Sequence, residues 1–252
     1  MAQLPDWQPL DGGVSLPDGD GTGRVVAVVA SEKAVSSGWA GPAVLEIARA
    51  WSRAGDKVVL ADGALHYPTL HTLTEVENTE GLSDAALFGA SVGRVARAVD
   101  GGAFFLITAG TAVADANTVP GSPRWGRLLD GFREAGVKLI LFVRDGDSGC
   151  ASFLGSASDI VVLSDRGERA PSAIRDLEPI VRVVAGPSTV MRTGSSAAPR
   201  AGSAGVAAAS EASPPAEWTA SSDEGRTRVR TLGLAAVAVI VLLAVALFFV
   251  IR

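Results

Sequence analysis

The sequence predicts an α/β protein in which a parallel sheet carries helices on both faces and is followed by a linker and a C-terminal transmembrane helix. Over residues 24–186, short apolar runs alternate with amphipathic stretches, which indicates strands joined by helical crossovers and hence a buried parallel sheet. Residues 187–230 are dominated by Ser, Ala, Gly and Pro, a composition that cannot form a packed core. Residues 232–251 contain no charge, and this run predicts the transmembrane helix.

The elements follow in order along the chain. Residues 1–23 are rich in Pro, Gly and Asp without periodicity, so we expect a flexible arm there. The predicted strands, which are short apolar runs, are 25–30, 57–61, 103–108, 137–143, 160–163 and 180–184. The predicted helices, which are amphipathic, are 42–54, 83–99 with a break near Gly89, 123–134 and a short one near 170–176. Together these elements make residues 24–186 a single domain.

The last segment, residues 231–252, is predicted to anchor the chain in a membrane. As a helix, the uncharged residues span roughly 30 Å, which is the thickness of a bilayer core. Arg226, Arg228 and Arg230 precede them, and basic flanking residues favour the cytoplasmic side. We therefore expect a single-pass protein of the inner (cytoplasmic) membrane, with its N-terminal domain in the cytoplasm on a disordered linker of roughly 35 Å average span.

Composition excludes several classes of function. The formal net charge is −5, and nucleic-acid binding depends on clustered Lys and Arg, so no nucleic acid is expected as a partner. The single cysteine, Cys150, excludes an intrachain disulfide. The two histidines, His66 and His71, have only Glu75 and Glu77 near them in sequence, and we predict no metal site.

Two blocks of motif residues resemble a known family. The first block lies between residues 60 and 89, and the second begins with the apolar run before Ala109. Together they resemble the bacterial tyrosine kinases of polysaccharide assembly, a branch of the deviant P-loop ATPases that also include partitioning and division-site ATPases. The resemblance covers roughly residues 24–185 and implies a P-loop NTPase-like fold. The residues that carry it are Asp62, Leu65, Pro68, Leu70, His71, Gly81, Leu82, Ser83 and Asp84, then Ala109, Gly110, Ser122, Pro123 and Arg124.

The resemblance places the phosphate loop at residues 31–41, where the chain departs from the family. A working loop needs glycines, a Lys for the phosphate oxygens and a Ser or Thr for Mg²⁺. Here the lysine position is Ala40, the hydroxyl positions are Gly41 and Pro42, and Trp39 replaces a glycine. The nucleotide contacts that remain as candidates are Ser36, Ser37, Gly38, Gly41 and Asp62. We therefore expect neither ATP nor Mg²⁺ as a cofactor.

The acidic machinery is also incomplete. The second Asp of the family's Asp-x-Asp is Ala64, which leaves Asp62 either as a residual metal ligand or as a cap for local N–H groups. The third acidic position falls on Phe142 or Val143, with Asp145 shortly after it. The kinases also phosphorylate a C-terminal tyrosine cluster, whereas this chain has one tyrosine, Tyr67. These losses predict a pseudo-ATPase without catalytic residues.

Three functions remain open from the sequence. The first is a non-catalytic, membrane-tethered scaffold or regulator of exopolysaccharide or capsule biosynthesis or export, as the resemblance implies. Its partners would be the membrane, through residues 232–251, and proteins of a polysaccharide assembly machine or a related ATPase, in a homo- or hetero-oligomer. The second is an active ATPase or tyrosine kinase that uses Lys33, Asp62 and Asp145. The third is a tail-anchored adaptor of the partitioning or positioning type.

Overall fold

The computed structural model describes residues 4–10, 14–16 and 23–188. The predicted anchor (231–252) and all but the first two residues of the predicted linker (187–230) lie outside these ranges. Within the described ranges, no helix combines the length and the apolar character that crossing a bilayer requires.

An eight-stranded sheet in the order β1-β8-β7-β2-β6-β3-β5-β4 forms the centre of the fold. All neighbouring strands are parallel except β4 and β5. The predicted α/β class with a mostly parallel sheet is therefore confirmed. The strands are β1 (Trp7–Pro9), β2 (Arg24–Ala30), β3 (Lys57–Asp62), β4 (Ala96–Val99), β5 (Phe104–Ile107), β6 (Val137–Arg144), β7 (Asp159–Leu163) and β8 (Val181–Gly186).

Helices cover both faces of the sheet, as predicted. Alternate residues of β2 face opposite cores, because Val25, Ala27 and Val29 pack with α5 and α6 whereas the residues between them pack with α2. Strand β2 lies between β6 and β7, and all but its first residue are buried. The helices are α1 (Glu32–Ser36), α2 (Ala40–Arg53), α3 (Leu70–Leu73), α4 (Val92–Val95), α5 (Pro123–Glu134) and α6 (Cys150–Leu154).

The helix predicted over 83–99, with a break near Gly89, is wrong at its C-terminal end, where residues 96–99 form strand β4. The structure has a π-helical turn at Asp84–Phe88, which ends at Gly89 in the left-handed conformation (φ 78°). Helix α4 then makes a single turn, and β4 runs antiparallel to β5 at the edge of the sheet. The apolar residues Val95 and Val99 suit either a helix or a strand, and pairing with β5 decides in favour of the strand.

Part of the arm that the sequence predicts as flexible is built into the fold. Strand β1 pairs with the end of β8, and the Trp7 indole N–H donates to the Ser164 carbonyl at 2.9 Å. Further along, Val14 is buried, and its carbonyl accepts the Trp51 indole N–H at 2.7 Å. Because these contacts reach residues far away in sequence, the local pattern of the arm does not reveal them.

Deleting residues 1–16 is therefore expected to lower the free energy of unfolding by roughly 2–4 kcal/mol. The deletion exposes the surface that β1 and Val14 cover, and it leaves the Trp51 indole N–H without its acceptor. Urea denaturation of the full chain and of the truncated chain measures the difference. Equal midpoints would contradict a packing role for the arm.

Candidate functional site

The candidate site lies where β2, β3 and β6 end. These strands are neighbours in the sheet and parallel, so their carboxyl ends meet at one edge, where α/β proteins bind ligands. Residues 31–41, here called the β2–α2 segment, follow β2; Asp62 ends β3; and Asp145 follows β6. The fold thus brings to one edge the parts that the resemblance assigns to a nucleotide site.

The β2–α2 segment is closed on itself by its own hydrogen bonds. The Ser31 side chain caps α1 by accepting the Ala34 N–H at 3.1 Å, and the Ser31 carbonyl accepts the Val35 N–H at 3.1 Å. The amides of Ser37 and Gly38 donate to carbonyls of the preceding turn at 2.9 Å each. A phosphate-binding loop directs such amides at its ligand, whereas these four are already bonded.

The segment's one cation points away from the site. The Lys33 ammonium lies 2.8 Å from Oδ2 of Asp165, in the loop after β7, a charge contact without the alignment of a good hydrogen bond. The same loop engages Ser31, whose hydroxyl donates to Glu168 Oε2 at 2.9 Å. Lys33 therefore pairs with a largely buried carboxylate that lies on the side of β2 away from β6 and β3.

The start of α2 is filled by apolar groups. Trp39 occupies the N-cap position and makes no side-chain capping bond. Ala40, at the lysine position, is only 1% exposed. A Cβ added at Gly41 would lie 2.6 Å from Leu73 Cδ1, so α3 closes over the place where the family carries a hydroxyl. Mg-ATP does not fit the residues that surround this segment.

Asp62 is wholly buried and serves as a cap. Its carboxylate accepts the N–H groups of Ala64, Thr69 and Leu70 at 3.1, 3.2 and 3.1 Å, which fixes the loop after β3 and the start of α3. Burial raises the pKa of Asp62 to about 6, although these hydrogen bonds and the charge of Arg144 oppose the shift. Of the two roles that the sequence leaves open, the observed contacts are those of the cap.

The five predicted nucleotide contacts do not converge. Ser36, Ser37 and Gly38 are exposed, and the Ser36 hydroxyl donates to a carbonyl of its own helix at 3.2 Å. Gly41 is half-buried beneath Leu73, and Asp62 is committed to its three amides.

The groups that an active enzyme would use are engaged as well. Asp145 accepts from the Ser172 amide at 3.2 Å and from the Ala173 amide at 3.4 Å. Lys33 and Asp62, the other two, are held by Asp165 and by backbone amides. Among the residues that the structure describes, no group of three or more His, Cys, Asp or Glu side chains could hold a metal ion.

Motif residues from both blocks contribute to a structural clasp, made of residues 81–84 and 108–111. The Asp84 carboxylate accepts the Gly81 N–H at 2.8 Å, the Thr111 N–H at 3.0 Å and the Thr111 hydroxyl at 2.7 Å. Partial burial disfavours the charge, but the bonds from Thr111 and Gly81 prevail and hold the pKa of Asp84 below its usual value. The clasp joins the π-helical turn to the end of β5.

The Ser-Pro-Arg motif also has a structural role. The Ser122 hydroxyl caps α5 and donates to the Ala86 carbonyl at 2.6 Å. The Arg124 guanidinium donates to the Leu87 carbonyl at 3.0 Å. Both bonds tie α5 to the π-helical turn, so this motif is explained here without a ligand.

A cavity of about 480 Å³ opens beside the β2–α2 segment, between Ser31 and the loop that joins β7 to β8. Four carboxylates line it against two guanidinium groups, an excess of negative charge that opposes a polyphosphate. Sequence reasoning missed this cavity, because most of its lining comes from a loop without a recognisable motif. The charged residues are Glu32, Asp145, Glu168 and Glu178, with Arg169 and Arg175.

Comparison with known proteins adds information on the fold. No family model and no curated protein sequence matches the chain. The kinase domain of the Escherichia coli tyrosine kinase ETK matches with a TM-score of 0.56 at 15% identity, over 66% of this chain and 68% of that one. The chimerical protein CapA2B2 matches with a TM-score of 0.55 at 16% identity, over 67% and 79%.

A nucleotide-bound protein shares the fold as well. Cobyrinic acid a,c-diamide synthase from Mycobacterium smegmatis, with an ATP analogue and magnesium, matches with a TM-score of 0.50 at 16% identity, over 65% of this chain and 72% of that one. At these identities the likeness concerns architecture alone. The described part of the chain therefore has the P-loop NTPase-like fold of the bacterial tyrosine kinase domains.

Proposed function

We propose that the protein is a pseudo-ATPase that acts as a non-catalytic scaffold or regulator, tethered to the inner (cytoplasmic) membrane through residues 232–251. One observation carries the proposal: four amides of the β2–α2 segment, those of Ala34, Val35, Ser37 and Gly38, are bonded within the segment, and its single cation, Lys33, is paired with Asp165. A site in this state offers a triphosphate neither the donors nor the charge that binding requires.

Electrostatics supports this function over an active ATPase. Mg-ATP carries several negative charges, and burying them without compensation has a large desolvation cost. A helix N-terminus, with roughly half a unit of positive charge, stabilises them by less than that cost. The nearby cavity adds carboxylates rather than cations. The geometry therefore favours a protein that uses the fold as a binding surface.

The expected partners follow from the resemblance and from the shared fold. Motifs like those of the polysaccharide-assembly kinases suggest docking on an exopolysaccharide or capsule biosynthesis or export machine. The tyrosine kinase domains with this fold support that context, since a protein with the same architecture suits assembly with them or with a related ATPase. A homo- or hetero-oligomer on the membrane is the arrangement that we propose.

Calorimetric titration of Mg-ATP into the full chain in detergent micelles tests the proposal. We expect no binding at a dissociation constant of about 1 mM or tighter, the level that corresponds to roughly −4.1 kcal/mol. The variant Ala40→Lys with Gly41→Thr is also expected to stay silent, because the amides of Ala34, Val35, Ser37 and Gly38 remain bonded within the segment.

Two results would contradict this account. Micromolar binding by the wild-type chain would overturn the pseudo-ATPase itself. Binding by the double variant alone would show that only a cation and a hydroxyl are missing and that the closed segment is no obstacle. Urea midpoints of both chains serve as the control for folding.

A further inference from the structure

The loop between β7 and β8 (residues 164–180) connects the N-terminal arm to the β2–α2 segment. On one side, its Ser164 carbonyl accepts the Trp7 indole N–H at 2.9 Å, and the Arg166 guanidinium lies 5.5 Å from the Trp7 ring centre. On the other side, Asp165 pairs with Lys33 and Glu168 bonds to Ser31. One continuous set of contacts therefore runs from the arm to the candidate site.

Asp165 and Glu168 of this loop are held together by two hydrogen bonds. Glu168 Oε2 accepts the Asp165 N–H at 2.9 Å, and the Asp165 carbonyl accepts the Glu168 N–H at 3.1 Å. The same Glu168 oxygen receives the Ser31 hydroxyl, which orients the Ser31 side chain as the N-cap of α1. The loop therefore determines whether the first turn of the β2–α2 segment is capped.

Helix α1 cannot be stable on its own. It has five residues, far fewer than an isolated helix needs, and Lys33 places a positive charge near its positive end. The Asp165 carboxylate offsets that charge, and the bond to Glu168 fixes the cap. The internal hydrogen bonds that close the segment are thus supported by contacts with residues elsewhere in the chain.

We propose that Asp165 and Glu168 form a latch that keeps the β2–α2 segment closed, and that Trp7 supports this latch through its contacts with Ser164 and Arg166. The inference rests on the proposed function, because it describes what holds the same site closed.

Amide hydrogen exchange in the full chain tests the latch. In the variant Asp165→Asn with Glu168→Ala, exchange at Ala34, Val35, Ser37 and Gly38 is expected to be roughly tenfold faster or more, the factor that corresponds to about 1.4 kcal/mol. Amides of α5 are expected to keep their rates. Trp7→Ala is expected to act in the same direction by loosening the loop from the arm.

Asp56→Asn is the matched control, because it removes a comparable ion pair, with Lys138, without touching the latch. Unchanged exchange in the Asp165/Glu168 variant, or equal acceleration in the control, would overturn the latch. Unchanged exchange in Trp7→Ala would show that the arm does not support the latch. These outcomes are independent of the test of the proposed function. That function would be contradicted by nucleotide binding to the wild-type chain.

Discussion

Replacing Gly81 with alanine is expected to destabilise the domain by about 3 kcal/mol or more, the cost of forcing atoms into a rigid, packed place. A Cβ at position 81 meets the Thr108 carbonyl oxygen, and it lies 2.5 Å from the Gly110 amide nitrogen and 2.6 Å from the Thr108 carbonyl carbon. All three are backbone atoms, so no side chain can rotate aside. The clasp then opens, and the Leu82 N–H to Thr108 bond of 2.8 Å is lost with it.

Gly126→Ala provides the matched control for this prediction. Gly126 lies within α5, and a Cβ there meets nothing within 4 Å. Because glycine disfavours the helix interior, this change is expected to stabilise the protein by about 0.5–1 kcal/mol. Urea unfolding of the two variants beside the wild type measures both effects. If the free energy of unfolding of Gly81→Ala lay within about 1 kcal/mol of the wild-type value, the effect would be that of an ordinary surface substitution. That result would contradict the clasp as a rigid unit.

The parts of the fold that could be predicted are those with strong local signals. Helix α5 has the predicted bounds, because Ser122 and Pro123 form a start signal and its apolar residues recur at helical spacing. The central strands were found because they are buried on both faces and read as continuous apolar runs. Strand β1 was missed, since its three residues include Pro9 and it depends on β8 for its existence.

The location of the candidate site could be predicted from the sequence, but its conformation could not. Counting back from Asp62 locates the β2–α2 segment, and the loss of its lysine is visible at Ala40. Its closure depends on contacts across the chain, such as Ser31 with Glu168, which are 137 residues apart. No short-range pattern predicts such a pair. The same limit applies to Leu73 over Gly41, because the packing of α3 is set by the cap at Asp62.

The clasp shows why motif residues persist beside a closed site. In this chain, Asp84 and the glycines around it hold the π-helical turn to β5 through hydrogen bonds and close backbone approach. That work is needed for any function that uses the fold. The β2–α2 segment differs from the family's phosphate loop at Trp39, Ala40 and Gly41, and the sheet beside it keeps the architecture shared with the kinase domains. A motif match is therefore evidence for the fold here and not for the chemistry.

The free energy of unfolding is expected to depend on pH because Asp62 titrates. Burial raises its pKa to about 6 in the folded chain, against 3.8 for an ordinary aspartate, so the folded state binds the proton more tightly than the unfolded state. The resulting stabilisation is complete below the unfolded pKa and is lost as pH rises through the folded pKa. At about 1.4 kcal/mol per pKa unit, the contribution of Asp62 to the free energy of unfolding falls by about 3 kcal/mol between roughly pH 3 and pH 7.

Comparison with Asp62→Asn isolates this contribution. The asparagine does not titrate, so the difference in unfolding free energy, wild type minus variant, is expected to fall by about 3 kcal/mol as pH rises from roughly 3 to 7. Urea unfolding at several pH values gives the difference, and the carbon-13 shift of the Asp62 carboxyl gives its titration midpoint directly. A midpoint near the usual aspartate value would show that the carboxylate reaches water and is not the buried cap of α3.

Asp84→Asn supplies the control of opposite sign. Hydrogen bonds from Thr111 and Gly81 hold the pKa of Asp84 below its usual value, so its stabilisation is present above the unfolded pKa and is lost as pH falls through the folded one. For this pair, the difference in the free energy of unfolding, wild type minus variant, is therefore expected to rise with pH in the acid range. The corresponding difference for Asp62 falls over the same range. Two carboxylates at one end of one sheet would then titrate in opposite directions, because burial dominates the first and hydrogen bonds dominate the second.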